Sequence, residues 1–195
     1  MLEVSRFRPL VTASQGDQRL AKLMFATIYL PNFYLHAAMR HQPALRAKPI
    51  ALIETQERKA VIIELNAAAA NFGVRKGMTP SQGLARCLSL LIKIRAREQE
   101  ILMEEILLQH AFTLSPYVEA TAPGVCTVQF TDKRNLAAKV SGVIERLTQC
   151  EMIAQAGIAS SPDISSLGAH LARPILQIDD AKKFLAPLPI ETLET

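Results

Sequence analysis

The sequence lacks tryptophan, and aromatic residues make up only 5% of its 195 positions. It also lacks the run of about 20 apolar residues that a membrane-spanning helix needs. Its first 24 residues have no apolar centre of the kind found in secretory signals. Hydrophobic residues still form 49% of the chain, which is enough for a full core. We therefore expect one globular domain, or one domain with an insertion, in the cytoplasm.

Residues that commonly hold metals or form disulfides are few and scattered. The three cysteines and four histidines are Cys87, Cys126, Cys150, His36, His41, His110 and His170. No Cys-x-x-Cys pair or histidine pair occurs at the spacing of a zinc site. An odd number of widely spaced cysteines is typical of small core or surface residues in a reducing compartment. This pattern predicts neither a disulfide framework nor a structural metal.

Charge is unevenly distributed, although the net charge is only +4. Residues 1–39 contain 4 basic and 2 acidic residues, residues 40–97 contain 11 and 3, and residues 98–195 contain 7 and 13. A basic block followed by an acidic one indicates that only one part of the molecule faces a polyanion. That part is the second quarter of the chain.

The middle of the chain has the pattern of a β-hairpin. Residues 118–122 and 125–130 are rich in Val, Thr and Phe, and Pro123 and Gly124 separate them. Such a hairpin tip, in a sheet flanked by helices, is a usual place for catalytic carboxylates. This tip offers only Gly124 and Val125, whose side chains can neither hold a metal ion nor move a proton.

The rest of the pattern predicts an α+β fold. We predict strands at 25–30, 50–53, 60–64, 90–94 and 152–158, and helices at 33–41, 98–112 and 133–149. The predicted apolar face of the helix at 98–112 comprises Ile101, Leu102, Ile106, Leu107 and Leu108, and that of the helix at 133–149 comprises Leu136, Val140, Val143, Ile144 and Leu147. Asn66 and Thr79 occupy N-cap positions of two further short helices, and Gly73 suits a left-handed position just after the first of them. Without residues 42–95, the element order resembles a split β-α-β fold, an antiparallel sheet with helices on one face.

Several short motifs resemble the Y-family translesion DNA polymerases. They are Pro-Ala-Leu-Arg-Ala-Lys-Pro-Ile at 43–50, Gly-Val-Arg-Lys-Gly-Met at 73–78, Ser-Pro-Tyr-Val-Glu at 115–119, Gly-Ile-Ala at 157–159 with Arg-Pro at 173–174, and Phe-Leu-Ala-Pro-Leu-Pro-Ile at 184–190. The resemblance covers about residues 25 to 190. It implies a Y-family polymerase palm with a small α/β fingers insertion, and the thumb and little finger are absent.

The resemblance also implies domain boundaries. These are an N-terminal extension or linker at 1–23, the first part of the palm at 24–41, the fingers at 42–95, the second part of the palm at 96–187 and the start of a linker to the thumb at 188–195. A thumb and a little finger would follow Thr195.

The family's metal-binding carboxylates have no counterparts at the matching positions. The first aspartate of the family falls on Tyr29, and its Asp-Glu pair falls on Gly124 and Val125. Glu119 matches a glutamate outside that pair, and Asp132 lies beyond the hairpin. Because Mg²⁺ binds oxygen donors, we predict no catalytic residue, no metal site and no cofactor.

The nucleotide-contacting residues of the family are also replaced. The tyrosine and arginine of the fingers fall on Ala67 and Ala70, and the lysine of the palm falls on Ser166. Charge-assisted contacts to a triphosphate are therefore not expected. Tyr34 matches the aromatic gate of the family, and we favour a packed aromatic side chain there.

Four basic residues are candidates for DNA binding. Arg58, Lys59, Arg75 and Lys76 lie at predicted turns of the fingers, where they could contact phosphates without reading bases. A solvated face explains them equally well, since no aromatic platform accompanies the charges.

The replaced site resembles the ImuB-like branch of the Y family, whose members are non-catalytic homologues in bacterial mutagenic repair. This implies that the chain is not an enzyme but a scaffold for SOS-induced translesion synthesis on the nucleoid. The implied partners are a RecA-like ImuA protein, an error-prone C-family DNA polymerase and the sliding clamp, through regions beyond this chain, with DNA as a further candidate. A weakly active polymerase with relocated metal ligands and an unrelated α+β metabolic enzyme stay open as alternatives.

Overall fold

The structure is a computed structural model that describes residues 23–57 and 59–189. The predicted extension at 1–22, the candidate residue Arg58 and the predicted linker at 190–195 lie outside the described residues. No helix within the described ranges has the length and apolar character to cross a bilayer.

The described residues form alternating strands and helices. In chain order they are β1 (Met24–Tyr29), α1 (Phe33–Ala38), a 3₁₀ helix (Pro43–Leu45), β2 (Ile50–Ile53), β3 (Ile62–Leu65), α2 (Ala67–Asn71), α3 (Pro80–Arg86), β4 (Leu91–Ile94), α4 (Arg97–Phe112), β5 (Val118–Ala122), β6 (Val125–Phe130), α5 (Leu136–Gln149), β7 (Gln155–Ala159), α6 (Pro162–Leu171), β8 (Ile175–Gln177) and α7 (Ala181–Leu185). Every strand and helix that the sequence predicts is present, and several ends differ by one to three residues.

The chain forms two compact units. Of the described residues, 23–31 and 106–189 belong to the first unit, and Asn32–Glu105 form the second. α4 begins in the second unit and ends in the first. The palm and fingers boundaries that the resemblance implies stay predictions.

β1 is the central strand of the first unit. Within the described residues, five strands form a sheet in the order β5-β6-β1-β7-β8. β1 pairs antiparallel with β6 and β7, and β7 pairs parallel with β8. The β5–β6 hairpin has the bounds that the sequence predicts. The sequence did not predict β8, α6 or α7, which lie after the last predicted strand.

The two faces of β1 carry different side chains, because successive residues of a strand point to opposite sides. Ala26 and Ile28 on one face are fully buried. On the other face, Thr27 Oγ1 lies 3.1 Å from Thr127 Oγ1 and 2.8 Å from Ser165 Oγ of α6. α6 therefore packs against the face that carries Thr27.

Gly157 allows α6 to approach this sheet closely. A Cβ atom at Gly157 would lie 2.1 Å from the Ser165 carbonyl oxygen and 2.4 Å from the Ala169 nitrogen, both backbone atoms. These distances are far below van der Waals contact, so a side chain at this position would force the helix and the sheet apart.

One predicted helix face is confirmed and one is partly wrong. The predicted stripe of α5 is buried along its whole length: Leu136, Val140, Val143, Ile144 and Leu147. In α4, the predicted core residues Ile101 and Leu102 are 60% and 40% exposed, whereas Met103 and Leu107 are buried. α4 has apolar residues around most of its circumference, so the period of the pattern did not define its buried face.

The second unit contains a three-stranded sheet in the order β3-β2-β4. β2 is fully buried and pairs antiparallel with β3 and parallel with β4. Both predicted N-caps are confirmed: Asn66 Oδ1 accepts the Ala69 N–H, and Thr79 forms a capping box with Gln82. Gly73 lies just after the C-cap of α2, and its φ of 79° is in the left-handed region that glycine favours.

Candidate functional site

The three positions that the resemblance aligns with metal ligands lie together at one end of the first unit's sheet. Tyr29 is directly opposite Val125 in the β1–β6 register. The Leu30 N–H donates to the Gly124 carbonyl oxygen at 2.9 Å. Gly124 has a φ of 72°, which turns the chain back between β5 and β6. The fold therefore brings these residues to one point, where none supplies a carboxylate.

α6 covers the Tyr29 position with a histidine. The rings of Tyr29 and His170 are stacked, with centroids 4.1 Å apart and planes at 29°. His170 Nδ1 lies 2.9 Å from the Ser166 carbonyl oxygen, one turn earlier in α6. Ser166, the position of the family's palm lysine, thus lies on the helix that covers Tyr29. No local pattern indicates this stack, because the two rings are 141 residues apart and only the sheet and α6 bring them together.

A basic residue that was not among the predicted site residues, Arg173, lies beside this stack. Gln155 is opposite Tyr29 in the β1–β7 register. In the amide orientation that gives both side-chain atoms a hydrogen-bond partner, Gln155 Nε2 donates to the Ala169 carbonyl oxygen at 3.2 Å. Its Oε1 then accepts from Arg173 Nη1 at 3.3 Å. Arg173 belongs to the Arg-Pro motif at 173–174, and this motif was the feature of the sequence that could have indicated Arg173 as a site residue.

The residues at this point do not fit a Mg²⁺ site. The Tyr29 ring is stacked on His170, and the Gly124 and Val125 side chains contain no oxygen. Across the part of the chain that the structure describes, no three His, Cys, Asp or Glu side chains gather where they could hold a metal ion.

Two other carboxylates lie on or near the hairpin. Glu119 is opposite Thr127 in the β5–β6 register, and is therefore on the face that carries Thr27. Asp132 accepts hydrogen bonds from the Arg134 side chain and backbone N–H, which lower its pKa to about 2. Asp132 is thus already paired with the Arg134 guanidinium. Glu119 is an acidic group on the face of the sheet that carries Thr27.

In the second unit, Tyr34 is held by a cation. The Arg95 guanidinium lies over the Tyr34 ring, 4.0 Å from its centroid. Arg95 also donates to both oxygens of Glu54 and, through Nε and Nη2, to Glu100. The hydrogen bonds to Glu100 and Glu54 raise the pKa of Arg95. Tyr34 packs among these groups and against the edge of Phe33. Its match to the aromatic gate stays only what the resemblance implies.

The other predicted positions of the second unit lie on its surface. Ala67 and Ala70 are exposed on α2 and offer only methyl groups. Lys59, Arg75 and Lys76 are exposed as well. Lys76 acts electrostatically on Glu64, whose pKa is raised mainly by burial.

An exposed aromatic residue accompanies the basic residues, contrary to the sequence interpretation. Phe72 is 56% exposed at the end of α2, three residues before Arg75. The Arg86 guanidinium lies against the next residue, with Nη1 3.5 Å from the Cβ position of Gly73. Within residues 23–57 and 59–189, Arg75, Lys76 and Arg86 form no ion pair. Periodicity gives no signal for Phe72, because its exposure depends on how α2 packs.

The fold is that of a Y-family polymerase palm and fingers. An insertion ternary complex of Dbh DNA polymerase matches 87% of this chain and 53% of its own, with a TM-score of 0.76 and 14% identity. DinB from Sulfolobus solfataricus matches with a TM-score of 0.74 and 15% identity over 87% of this chain and 52% of its own. These likenesses confirm the predicted fold class.

Sequence comparison identifies the family. The model of the IMS (impB/mucB/samB) family matches residues 28–170. The chain belongs to this family. It is 25% identical to DNA polymerase IV of Ralstonia nicotianae over 172 residues and 28% identical to that of Citrobacter koseri over 172 residues. The matches cover 83% and 81% of this chain and 48% of each relative, so the chain spans about half the length of these relatives.

The expectation that the chain is not an enzyme is wrong. The relatives that it matches over four fifths of its length are named DNA polymerase IV, which is an enzyme. The absence of carboxylates at Tyr29, Gly124 and Val125 concerns only the side chains at the one metal site that the resemblance aligns. They do not establish inactivity in a chain that shares the fold and sequence family of polymerases.

Proposed function

We propose that this chain supplies palm and fingers to a protein that works in translesion DNA synthesis, with the partner-holding role that the resemblance to the ImuB-like branch implies. In this role it binds DNA and holds other proteins of mutagenic repair at the damaged site, on the nucleoid. Membership of the impB/mucB/samB family supports the setting. The replaced residues Tyr29, Gly124 and Val125 support the choice of branch.

The observation that carries the DNA-binding role is the exposed Phe72 among basic residues. Arg75, Lys76 and Arg86 are exposed in the same unit, and residues 40–97 contain 11 basic and 3 acidic residues. Basic side chains that track phosphates, together with an aromatic ring on which bases stack, are the usual elements of a single-strand site. Lys59 adds a further exposed cation, and Arg58 remains a candidate by sequence alone.

The proposed partners follow from the branch. They are a RecA-like ImuA protein, an error-prone C-family DNA polymerase and the sliding clamp. Co-purification of each with the longest available form of the protein tests them one at a time. A partner that fails to co-purify under damage-inducing conditions is removed from the proposal.

DNA binding is tested by fluorescence anisotropy with a labelled single strand and the matching duplex, across a salt series. We expect Arg75→Ala with Lys76→Ala to lower the salt slope by about 0.7 for each lost phosphate contact on the single strand. Phe72→Leu, which keeps an apolar side chain but removes the ring, should weaken single-strand binding by about 1–3 kcal/mol.

The matched control changes two other exposed lysines. Lys182→Ala with Lys183→Ala removes the same charge from α7 in the first unit. We expect this control to bind DNA like the wild type. Equal losses in the control and in the Arg75/Lys76 variant would show a non-specific charge effect and would contradict the site.

A second candidate function is template-directed nucleotide addition, which the names of the relatives favour. A primer-extension assay with Mg²⁺ or Mn²⁺ tests it. Glu119 is a carboxylate on the face that carries Thr27. Nucleotide incorporation that is present in the wild type and lost in Glu119→Gln would therefore indicate that the metal ligands have moved to this face. No incorporation in either metal would remove this candidate.

A further inference from the structure

A groove of about 610 Å³ lies in the first unit between the end of α4 and α5. His110 and Thr113 line it from the side of α4, and Ala138, Lys139, Gly142 and Arg146 line it from α5. The groove is open to solvent. Nothing in the polymerase resemblance assigns a role to this position.

The charge of the groove is opposite to that of the sequence around it. Residues 98–195 contain 13 acidic and 7 basic residues, yet none of the described residues that line the groove is acidic. Lys139 lies 3.6 Å from Asp132, outside the lining, and both side chains are more than two fifths exposed, so this pair is weak. A local cationic surface in an acidic region favours a ligand with a few discrete negative charges over a long polyanion.

A hydrogen bond holds the Arg146 side chain in place and leaves its other N–H groups able to donate to a ligand. Its Nη2 donates to Thr113 Oγ1 at 3.2 Å, and Thr113 Oγ1 donates in turn to the His110 carbonyl oxygen at 2.6 Å. A guanidinium has five N–H donors, so one bond leaves the group able to bind a carboxylate. Burial and the charge of Arg146 lower the pKa of His110, which keeps that imidazole neutral near pH 7.

Two of the residues that line the groove from α5 are small, and we call these two its floor. Ala138 and Gly142 are four residues apart and therefore share one helix face. A Cβ atom at Gly142 would meet nothing closer than Arg146 Nη1, at 3.9 Å. Side chains of another helix can therefore lie over this floor, because small residues let two helices approach closely.

We propose that this groove docks an acidic amphipathic helical segment of a partner protein. Carboxylates of the segment bind Lys139 and Arg146, and its apolar side chains lie over Ala138 and Gly142. An open groove suits a peptide better than a small molecule, which proteins normally enclose. The inference gives the partner binding of the proposed function a surface, and it therefore rests on the proposed function.

The test uses the whole 195-residue chain and two synthetic helical peptides. One peptide carries Glu on one face and Leu and Ala on the other, and the second has every Glu replaced by Gln. Titration calorimetry measures binding of each. We expect the Glu peptide to bind at least about tenfold more tightly than the Gln peptide at low salt.

Three variants locate the binding. Gly142→Leu fills the groove, and Lys139→Glu with Arg146→Glu reverses its charge; each should weaken binding of the Glu peptide at least about tenfold. Gly142→Ala is the matched control for α5, since its added methyl group has space, and it should bind within about twofold of the wild type. Thermal unfolding of every variant shows that it is folded.

The inference would be overturned by equal binding of the two peptides, by unchanged binding in Gly142→Leu, or by displacement of the peptide by a DNA duplex. DNA anisotropy with the same variants separates this inference from the proposed function. Unchanged DNA binding in a groove variant that no longer binds the peptide supports a separate docking surface. Loss of both activities in the folded groove variants would contradict it.

Discussion

The Tyr29 ring lies on the His170 imidazole, with the ring centroids 4.1 Å apart. Stacked aromatic pairs contribute about 0.5–1.5 kcal/mol beyond the area that they bury. A double-mutant cycle with Tyr29→Leu and His170→Leu should therefore give a coupling free energy of about 1 kcal/mol, measured by urea unfolding. A coupling energy indistinguishable from zero would show that the two rings do not interact in solution.

Two glycines should respond in opposite ways to the same substitution. Gly157→Ala places a Cβ within 2.1 Å of a backbone oxygen of α6 and should lower the free energy of unfolding by about 3 kcal/mol. Gly142→Ala, with space around its Cβ in an α-helix, should raise it by about 0.5–1 kcal/mol. Both are measured by chemical denaturation. If Gly157→Ala were as stable as the wild type, α6 could not pack as described.

Asn66 joins α2 to β2 and to the residues just before β2 through three hydrogen bonds. Its Oδ1 accepts the N–H groups of Ala69 and Ile50, and its Nδ2 donates to the Lys48 carbonyl oxygen. Asn66→Ala should lower the free energy of unfolding by about 2 kcal/mol, because it removes an N-cap and two further bonds. Asn66→Asp keeps both accepted bonds and should lose clearly less. Equal losses in the two variants would assign the effect to the Lys48 contact alone.

Glu64 should make stability depend on pH. Burial raises the pKa of this carboxyl group, although the Leu35 N–H and the charges of Lys76 and Arg95 oppose the shift and Glu100 adds to it. The folded state therefore binds the proton more tightly than the unfolded state. Glu64 thus contributes stability below the ordinary glutamate pKa of about 4.3, and this contribution is lost as pH rises through the raised value.

Glu64→Gln separates this effect from the rest of the protein. The glutamine keeps an oxygen that can accept the Leu35 N–H but does not titrate. The unfolding free energy of the wild type minus that of the variant should fall as pH increases from about 4 to 7. Denaturation at each pH measures this difference. A difference that does not change with pH, or that grows, would contradict the raised pKa.

Local signals in the sequence predicted the parts of the fold that depend on neighbouring residues. The hairpin at Val118–Phe130, the caps at Asn66 and Thr79 and the left-handed Gly73 all depend on short-range hydrogen bonds and backbone preferences. The buried stripe of α5 was predicted because its apolar residues repeat with a clear helical period.

Other features depend on contacts between residues far apart in the chain. α6 contains small and polar residues, and its position depends on Gly157 and on the hydroxyl groups of Thr27 and Ser165, which no periodicity reveals. In α4, apolar residues surround the helix, so its buried face followed only from packing. The exposed Phe72 was missed for the same reason.

The candidate site shows a different limit. Alignment of motifs placed Tyr29, Gly124 and Val125 at one point, and the register of β1 and β6 brings them together there. Side-chain chemistry at that point was sufficient to argue against Mg²⁺ binding but not to assign the whole chain as a non-enzyme. The covering of the site by His170, and the nearby Arg173, required the three-dimensional arrangement of α6.

The position of β1 at the centre of its sheet affects how the protein folds during synthesis. Thr27 contacts a threonine 100 residues later, and β7 follows later still. As the ribosome releases the chain, β1 emerges before the other strands of its sheet, and it has no partner strand until β6 has been translated. Pairing at such separations slows folding, and an unpaired apolar strand is prone to aggregation in the meantime. We therefore expect refolding to be slow and yields to improve at low protein concentration.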